Sequence, residues 1–352
     1  MERTHGGDWA AYEMEYGALP LDFSASISPL GLPEAARAAA AAALEHADRY
    51  PDPLCRRLRA ALSEHHGVPA ERIVCGAGAA DLIDRLARTL RAKRALIPAP
   101  TFSEYERALR AAGSAVTRFP LAKETGFALP DAFSDAIGPG VELVFLCQPN
   151  NPTGLLTERK TLSAILSLCR ERGAILCADE CFLDFCVNAT EHSLIPALSE
   201  YPNLVILRAF TKTYAMAGLR LGYALCGNKA LAERLQNSGP PWVVSGVAQE
   251  AGIEALCETN YVNRLRVLIS DERRRMKAAL EALGLRVIPG EANFLHFQSA
   301  DTALAEKLRA RGMLIRECAD FAGLRAGWYR TAIRTAGEND ILIKTIGEVL
   351  YG

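Results

Sequence analysis

The sequence has almost no net charge. Its 40 Lys and Arg against 41 Asp and Glu leave −1 over 352 residues. That balance removes the electrostatic reason to expect nucleic acid or an anionic membrane surface as partner. Long apolar runs are missing too, and none reaches the length of a membrane span. The N-terminus, Met1-Glu2-Arg3-Thr4-His5-Gly6-Gly7-Asp8, has no apolar segment that could serve as a signal, so a cytoplasmic location is expected. The ten cysteines include no CxxC pair. Cys75, Cys147, Cys177 and Cys226 lie in apolar runs and read as buried free thiols of a reducing compartment. Cys177, Cys181 and Cys186 stand close together, but without CxxC spacing a structural role is favoured and no metal is expected. Internal repeats, a low-complexity linker beyond an alanine run, and a basic helical extension for DNA are all absent.

Half of the residues are hydrophobic, enough for a large core in one large domain or two unequal ones. The first thirty residues read as irregular, with His5-Gly6-Gly7 and Asp22–Gly31 forming a segment that wraps a ligand or lies on the surface as an arm. Pro33 opens an alanine-rich helix to about Ala47; Arg49–Pro53 breaks it, and a second helix stops at Gly67. From residue 72, short apolar strands alternate with amphipathic helices. The strands are Arg72–Cys75, Arg94–Pro98, Ala115–Phe119, Glu142–Cys147, Ala174–Ala178, Leu204–Arg208 and Gly222–Cys226. Their near-continuous apolar character implies burial on both faces, hence an α/β fold with a mainly parallel sheet between helices. Beyond Pro240 come helices Val244–Cys257 and Asn260–Leu283, then strands Arg286–Ile288, Asn293–Phe297, Met313–Arg316 and Trp328–Arg334, with helices Thr302–Arg311 and Asn339–Leu350. This pattern predicts a smaller α+β domain. The expected division is 1–48 as arm and part of the small domain, 49–258 as the large domain, and 259–352 as the small domain. The charged run Glu272–Lys277 reads as a solvated helix face.

In such a sheet, ligands sit at the carboxyl ends of the strands. After the strand ending at Cys75 stands Gly76-Ala77-Gly78-Ala79-Ala80-Asp81, a phosphate site at a helix N-terminus or only a tight turn. After Pro98 stands Pro100-Thr101-Phe102-Ser103-Glu104-Tyr105, whose aromatic could stack on a flat ring. After Cys147 stands Gln148-Pro149-Asn150-Asn151-Pro152-Thr153-Gly154; the turn needs only one of its two asparagines. After Ala178 stand two acids, Asp179 and Glu180, costly to bury without partners. A pyridinium nitrogen would be such a partner. Lys212 lies among small and apolar residues, where an ammonium is poorly solvated and the neutral amine is a nucleophile. Arg220, eight residues on, could clamp a phosphate. Together these suggest pyridoxal phosphate held as a Schiff base on Lys212.

With Pro-Asn-Asn-Pro-Thr-Gly at 149–154, Asp-Glu at 179–180, Thr-Lys at 211–212 and Gly-Leu-Arg-Leu-Gly-Tyr at 218–223, the chain resembles the fold-type I pyridoxal-phosphate enzymes, in the branch of the histidinol-phosphate aminotransferases. The likeness spans nearly the whole chain. It implies that Lys212 carries the cofactor and that Asp179 pairs with the ring nitrogen, keeping the ring an electron sink. It further implies that Asn151 bonds the ring phenolate, that Phe102 stacks on the ring, and that Gly78, Ala79, Ala80, Thr211 and Arg220 surround the phosphate. Tyr50 would reach the phosphate of a second subunit, making the protein a homodimer.

Within that branch both chain ends look most similar to the L-threonine-O-3-phosphate decarboxylase family of cobalamin biosynthesis. The matching stretches are His5-Gly6-Gly7, Asp22–Gly31, Pro100–Leu109, Pro241-Trp242, Ile315–Leu324 and Trp328–Arg334. By this resemblance Arg316 and Arg330 hold the substrate's anionic groups, and His5, Gly6 and Ser26 close over its phosphate. The substrate would be a small phosphorylated amino acid. Ser26 stands where the family usually has asparagine, Ala77 and Ala79 replace more polar residues, Ala209 replaces a serine, and Phe182 replaces the aminotransferases' tyrosine. L-serine O-phosphate, giving ethanolamine phosphate, is the alternative substrate. Transamination of histidinol phosphate or a related amino acid is the alternative reaction.

Overall fold

The computed structural model describes residues 5–352; Met1–Thr4, part of the segment read for a signal, lie outside the described residues. The arm is not irregular throughout, as the sequence suggested. Trp9–Tyr16 is a helix, started by Asp8, whose carboxylate accepts from Ala11 N at 3.2 Å, and closed by Gly17 at φ 69°. Only Tyr12 of this helix is buried, so its caps hold it and no apolar stripe betrays it. The arm continues into β1 (Leu21–Asp22).

The seven central strands are β2 (Ile73–Gly76), β3 (Arg94–Ala99), β4 (Ala115–Pro120), β5 (Leu143–Cys147), β6 (Ile175–Asp179), β7 (Leu204–Ala209) and β8 (Gly222–Cys226). They form one sheet in the order β2-β8-β7-β6-β5-β3-β4. Pairings among β3 to β7 are parallel, and β8 runs antiparallel to both its neighbours. Consecutive residues of β7 show why the inner strands read as unbroken apolar runs. Leu204 and Ile206 join the core on one face, Val205 and Leu207 the core on the other. β4, expected to be buried like the others, has no buried residue because it lies at the sheet's edge.

A long helix, Thr259–Ala282, leads out of this layer and buries Tyr261, Leu265, Ile269, Met276 and Leu280 at helical spacing. The expected solvated face at 272–277 is broken by Arg273, which is buried and donates to Glu291 O at 2.7 Å. Beyond the helix lie β9 (Arg286–Ile288), β10 (Phe294–Gln298), β11 (Met313–Leu314), β12 (Arg316–Glu317) and β13 (Trp328–Ala332). The single strand expected at 313–316 is in fact two. β11 pairs parallel with β1 of the arm, while β12 joins a four-stranded sheet, β12-β13-β10-β9. One hydrophobic cluster, including Phe23, Phe210, Leu265, Leu295 and Phe297, runs through both layers. Nine of the ten cysteines are buried, and all are free. Among the described residues no metal-ligating group of three or more occurs, and no helix is long and apolar enough to cross a membrane.

Candidate active site

At the carboxyl edge of the large sheet lies a cavity of about 600 Å³. β7 ends at Ala209, and one helical turn, Phe210–Thr213, carries Lys212 to the cavity wall. Burial lowers the Lys212 ammonium from 10.5 to about 8, helped by the positive charges of Arg330 and Arg220. Nζ stands 5.8 Å from the ring centre of Phe182.

β2 turns into the helix Ala79–Leu90 through Gly78, at φ 84°, and no side chain caps the first-turn N–H groups. A Cβ on Gly78 would come within 3.0 Å of Arg220 Nη2, and one on Gly222 within 2.7 Å of Ala79 N. Glycine at both places lets the bare helix end, Thr211 and the Arg220 guanidinium converge. Arg220 itself is held at φ 58°, a strained conformation for a side-chain-bearing residue. Free N–H groups at a helix N-terminus beside a guanidinium form an anion cradle. The cradle and an amine with a depressed pKa fit a phosphorylated aldehyde such as pyridoxal phosphate.

The paired residues at two strand ends divide their labour. Asp179 lines the cavity and accepts from Tyr105 Oη at 2.6 Å and from Cys181 N at 3.0 Å. Glu180, fully buried, turns the other way and accepts from Arg208 Nη2 at 2.8 Å and Leu194 N at 2.7 Å. Arg208 also donates to Asp184 at 2.7 Å, and Asp184 receives Thr213 Oγ1 at 3.2 Å. This buried ion-pair network ties the Asp179 strand end to the Lys212 turn from behind. Likewise Asn150 fastens the 149–154 turn by bonding Pro100 O, Thr101 and Thr153, whereas Asn151 faces the cavity.

The opposite wall comes from the arm and the small sheet. In the β12–β13 register Arg316 stands directly across from Arg330, and both line the cavity while being more than nine-tenths buried. Arg330 donates to Asn151 Oδ1 at 2.5 Å and Ser24 O at 3.1 Å, yet its Nε has no partner among the described residues. Burial, with Arg316 adding to it, lowers Arg330 to about 10. Arg316 donates to Asp320 at 2.6 Å. His5 and Gly6 of the arm also line the cavity, as do Phe102, Ala79, Ala80 and Thr211. Gly78, Ser26 and Tyr50 do not. Ser26 is buried nearby with its hydroxyl unpaired, the wall position being taken by Ser24 and Ala25. Tyr50 is 81% exposed and packs at a tilt against Trp242, 4.7 Å between ring centres.

Residues 20–346 match the profile of the family described as aminotransferase class I and II. The chain belongs to that family. Among its relatives in the aminotransferase class I and II family, a threonine-phosphate decarboxylase of Salmonella typhimurium is 39% identical, covering 99% of this chain and 97% of its own. A histidinol-phosphate aminotransferase of Symbiobacterium thermophilum is 35% identical, covering 84% and 81%. The solved histidinol-phosphate aminotransferase of Clostridium acetobutylicum superposes with a TM-score of 0.87 at 28% identity, covering 94% of this chain and 98% of that one. The family depends on pyridoxal 5′-phosphate, and the architecture is the fold-type I one.

Among the residues that escaped the sequence reading in any role are Tyr105, which orients Asp179, Glu104 and Arg107, which line the cavity, and Ser24, whose carbonyl accepts from Arg330. Glu104 and Tyr105 stood in a stretch singled out for its aromatic, and two adjacent polar residues opening a helix were the available signal. Arg208 was legible only as a strand residue.

Proposed function

We propose that this chain decarboxylates L-threonine O-3-phosphate to (R)-1-aminopropan-2-yl phosphate, a step of corrinoid synthesis. The observation that carries this is the facing pair Arg316 and Arg330. Like charges directly opposite on a sheet repel; Asp320 answers Arg316, but Arg330 has no carboxylate partner among the described residues and its Nε is unbonded, so the buried pair retains room for an anionic occupant. A substrate with both a phosphate and a carboxylate supplies one anion for each. The whole lining points the same way. Lys212, Arg220, Arg316, Arg330 and Arg107 against Asp179 and Glu104 leave three positive charges in excess. The 39% identical relative bears the same activity in its name.

In this proposal Lys212 holds the cofactor through its side-chain nitrogen, and Ala79, Ala80, Thr211 and Arg220 hold its phosphate. Asp179, aimed by Tyr105, faces the ring nitrogen, Asn151 the ring oxygen, and Phe102 the ring face. Pyridoxal phosphate, when bound, supplies the electron sink for the pair released as a bond at the substrate α-carbon breaks. The residues of the chain choose that bond by pose. Arg330 takes the carboxylate, Arg316 the phosphate, and His5, Gly6 and the neighbourhood of Ser26 close the site over the phosphate and exclude water. Lys212 Nζ, able to change protonation near neutral pH, returns a proton to the α-carbon. Residues 49–258 would hold the cofactor, with 1–48 and 259–352 forming the closing wall. Enzymes of this family typically form homodimers; in one, the exposed Tyr50 reaches the neighbouring phosphate. L-serine O-phosphate is the nearest alternative substrate.

A second reading, aminotransfer with histidinol phosphate, is favoured by the 35% identical relative and uses the same cofactor wall. A product assay separates them. Purified protein with pyridoxal phosphate should release carbon dioxide from phosphothreonine without any keto acid. Turnover of histidinol phosphate that depends on 2-oxoglutarate, with no carbon dioxide from phosphothreonine or phosphoserine, would establish the aminotransferase instead.

A further inference from the structure

A carboxylate in the wall of a cavity built for anions needs an explanation. Glu104 is 8% exposed and lines the cavity beside the residues proposed to hold a phosphate. Left alone it would repel that phosphate. It is not alone. Oε1 lies 3.0 Å from His5 Nε2, and Oε2 accepts from Arg107 Nε at 2.6 Å. Hydrogen bonding to His5, then to Arg107, holds the Glu104 carboxyl down at about 2, so its charge persists over the working pH range.

His5 is thereby attached to the body of the protein 99 residues away along the chain. Its ring centre stands 6.2 Å from that of Phe102, at the cavity. The adjoining arm is also fixed. Gly7 N donates to Ser24 Oγ at 2.8 Å, and a Cβ on Gly6 would strike Ser24 O. Ser24 O in turn accepts from Arg330. With Nε2 engaged by a carboxylate, the imidazole has its orientation set, leaving the rest of the ring to the cavity.

We propose that Glu104 is a positioning residue for substrate phosphate. It fixes the arm's His5 over the cavity with a ring N–H free to face the ligand, so that an acidic residue raises affinity for an anion. Arg107 neutralises the second carboxylate oxygen. The proposal deepens, and rests on, the phosphorylated substrate class inferred above.

The test is a double-mutant cycle on the cofactor-loaded protein, with His5→Gln, Glu104→Gln and both together. Dissociation constants are measured for inorganic phosphate, phosphothreonine and L-threonine. Each single substitution should weaken both phosphate-bearing ligands about tenfold, the size of one charge-assisted hydrogen bond. The double variant should be no weaker than either single, and binding of L-threonine, which has no phosphate, should change less than about twofold. Glu104→Asp keeps the charge but loses the reach, so it should behave as Glu104→Gln does. Additive losses, equal weakening of threonine and phosphothreonine, or unchanged phosphate binding in a folded Glu104→Gln would each overturn the proposal. Because inorganic phosphate needs no turnover, the cycle still decides if no carbon dioxide is released, an outcome that would sink only the decarboxylase reading.

Discussion

The wall of the cavity that carries Lys212 and the wall that carries Arg316 and Arg330 are built by different means. The first is made of strand ends from one sheet. Asp179, Asn151 and Lys212 leave β6, β5 and β7 side by side, and the Arg208 network braces two of them from the hidden face. The second is assembled from the chain's extremes. β1 of the arm pairs with β11, Arg316 and Arg330 face each other across β12 and β13, and His5 is latched to Glu104. A wall of adjacent strand ends can hold the same cofactor in every member of a family. A wall brought together by long-range contacts can be changed piece by piece, and the proposed function assigns the choice of reaction to it.

Four outcomes would sharpen or break that contrast. Lys212→Arg should lower turnover by about 10³-fold or more, with the fold kept, because no other amine lines the cavity among the described residues. Turnover within tenfold of the parent would remove Lys212 from the chemistry. Arg208→Gln should cost about 3 kcal/mol in denaturant unfolding, since it strands the fully buried Glu180 and leaves the half-buried Asp184 without its main partner. A smaller loss would mean that the first wall needs no brace. Arg316→Gln should cost about 1.5–3 kcal/mol in kcat/KM for the phosphorylated substrate while leaving cofactor affinity unchanged. If cofactor binding fell as well, the two walls would not be separable. Tyr105→Phe should cost about 1 kcal/mol of turnover through a less firmly held Asp179, and should shift the absorbance of the bound cofactor.

The same contrast has a pH signature. Lys212 titrates near 8 in the folded, cofactor-free protein against 10.5 for an ordinary lysine. The unfolded chain therefore binds the proton more tightly. The resulting penalty on stability is fully present below about pH 8 and fades as pH rises from 8 toward 10.5. Because the neutral amine is the reactive form, cofactor uptake should quicken with pH to a plateau just above 8. A midpoint near 10 would show an ordinary solvated lysine. Arg330→Gln should move the midpoint upward by removing one of the two nearby positive charges.

Several residues show how far reading the sequence could go. Runs such as Leu204-Val205-Ile206-Leu207 announced a doubly covered sheet, because a strand covered on both faces can be apolar at consecutive positions. Small or polar residues at the carboxyl ends of those strands announced the cofactor, because local order along the chain becomes spatial order along a sheet edge. The arm helix Trp9–Tyr16 was hidden, since caps and not a buried stripe stabilise it. The division of Met313–Arg316 was hidden too, since two different partners claim its halves.

Lys212, Asp179, Asn151 and Arg220, and the sheet that aligns them, were thus determined by the sequence itself through short-range pattern. Which asparagine faces the cavity, which acid turns away to Arg208, and that Arg316 meets Arg330 and His5 meets Glu104 were decided only by tertiary structure. Those choices depend on pleat, register and contacts across a hundred residues or more, and no local pattern encodes them.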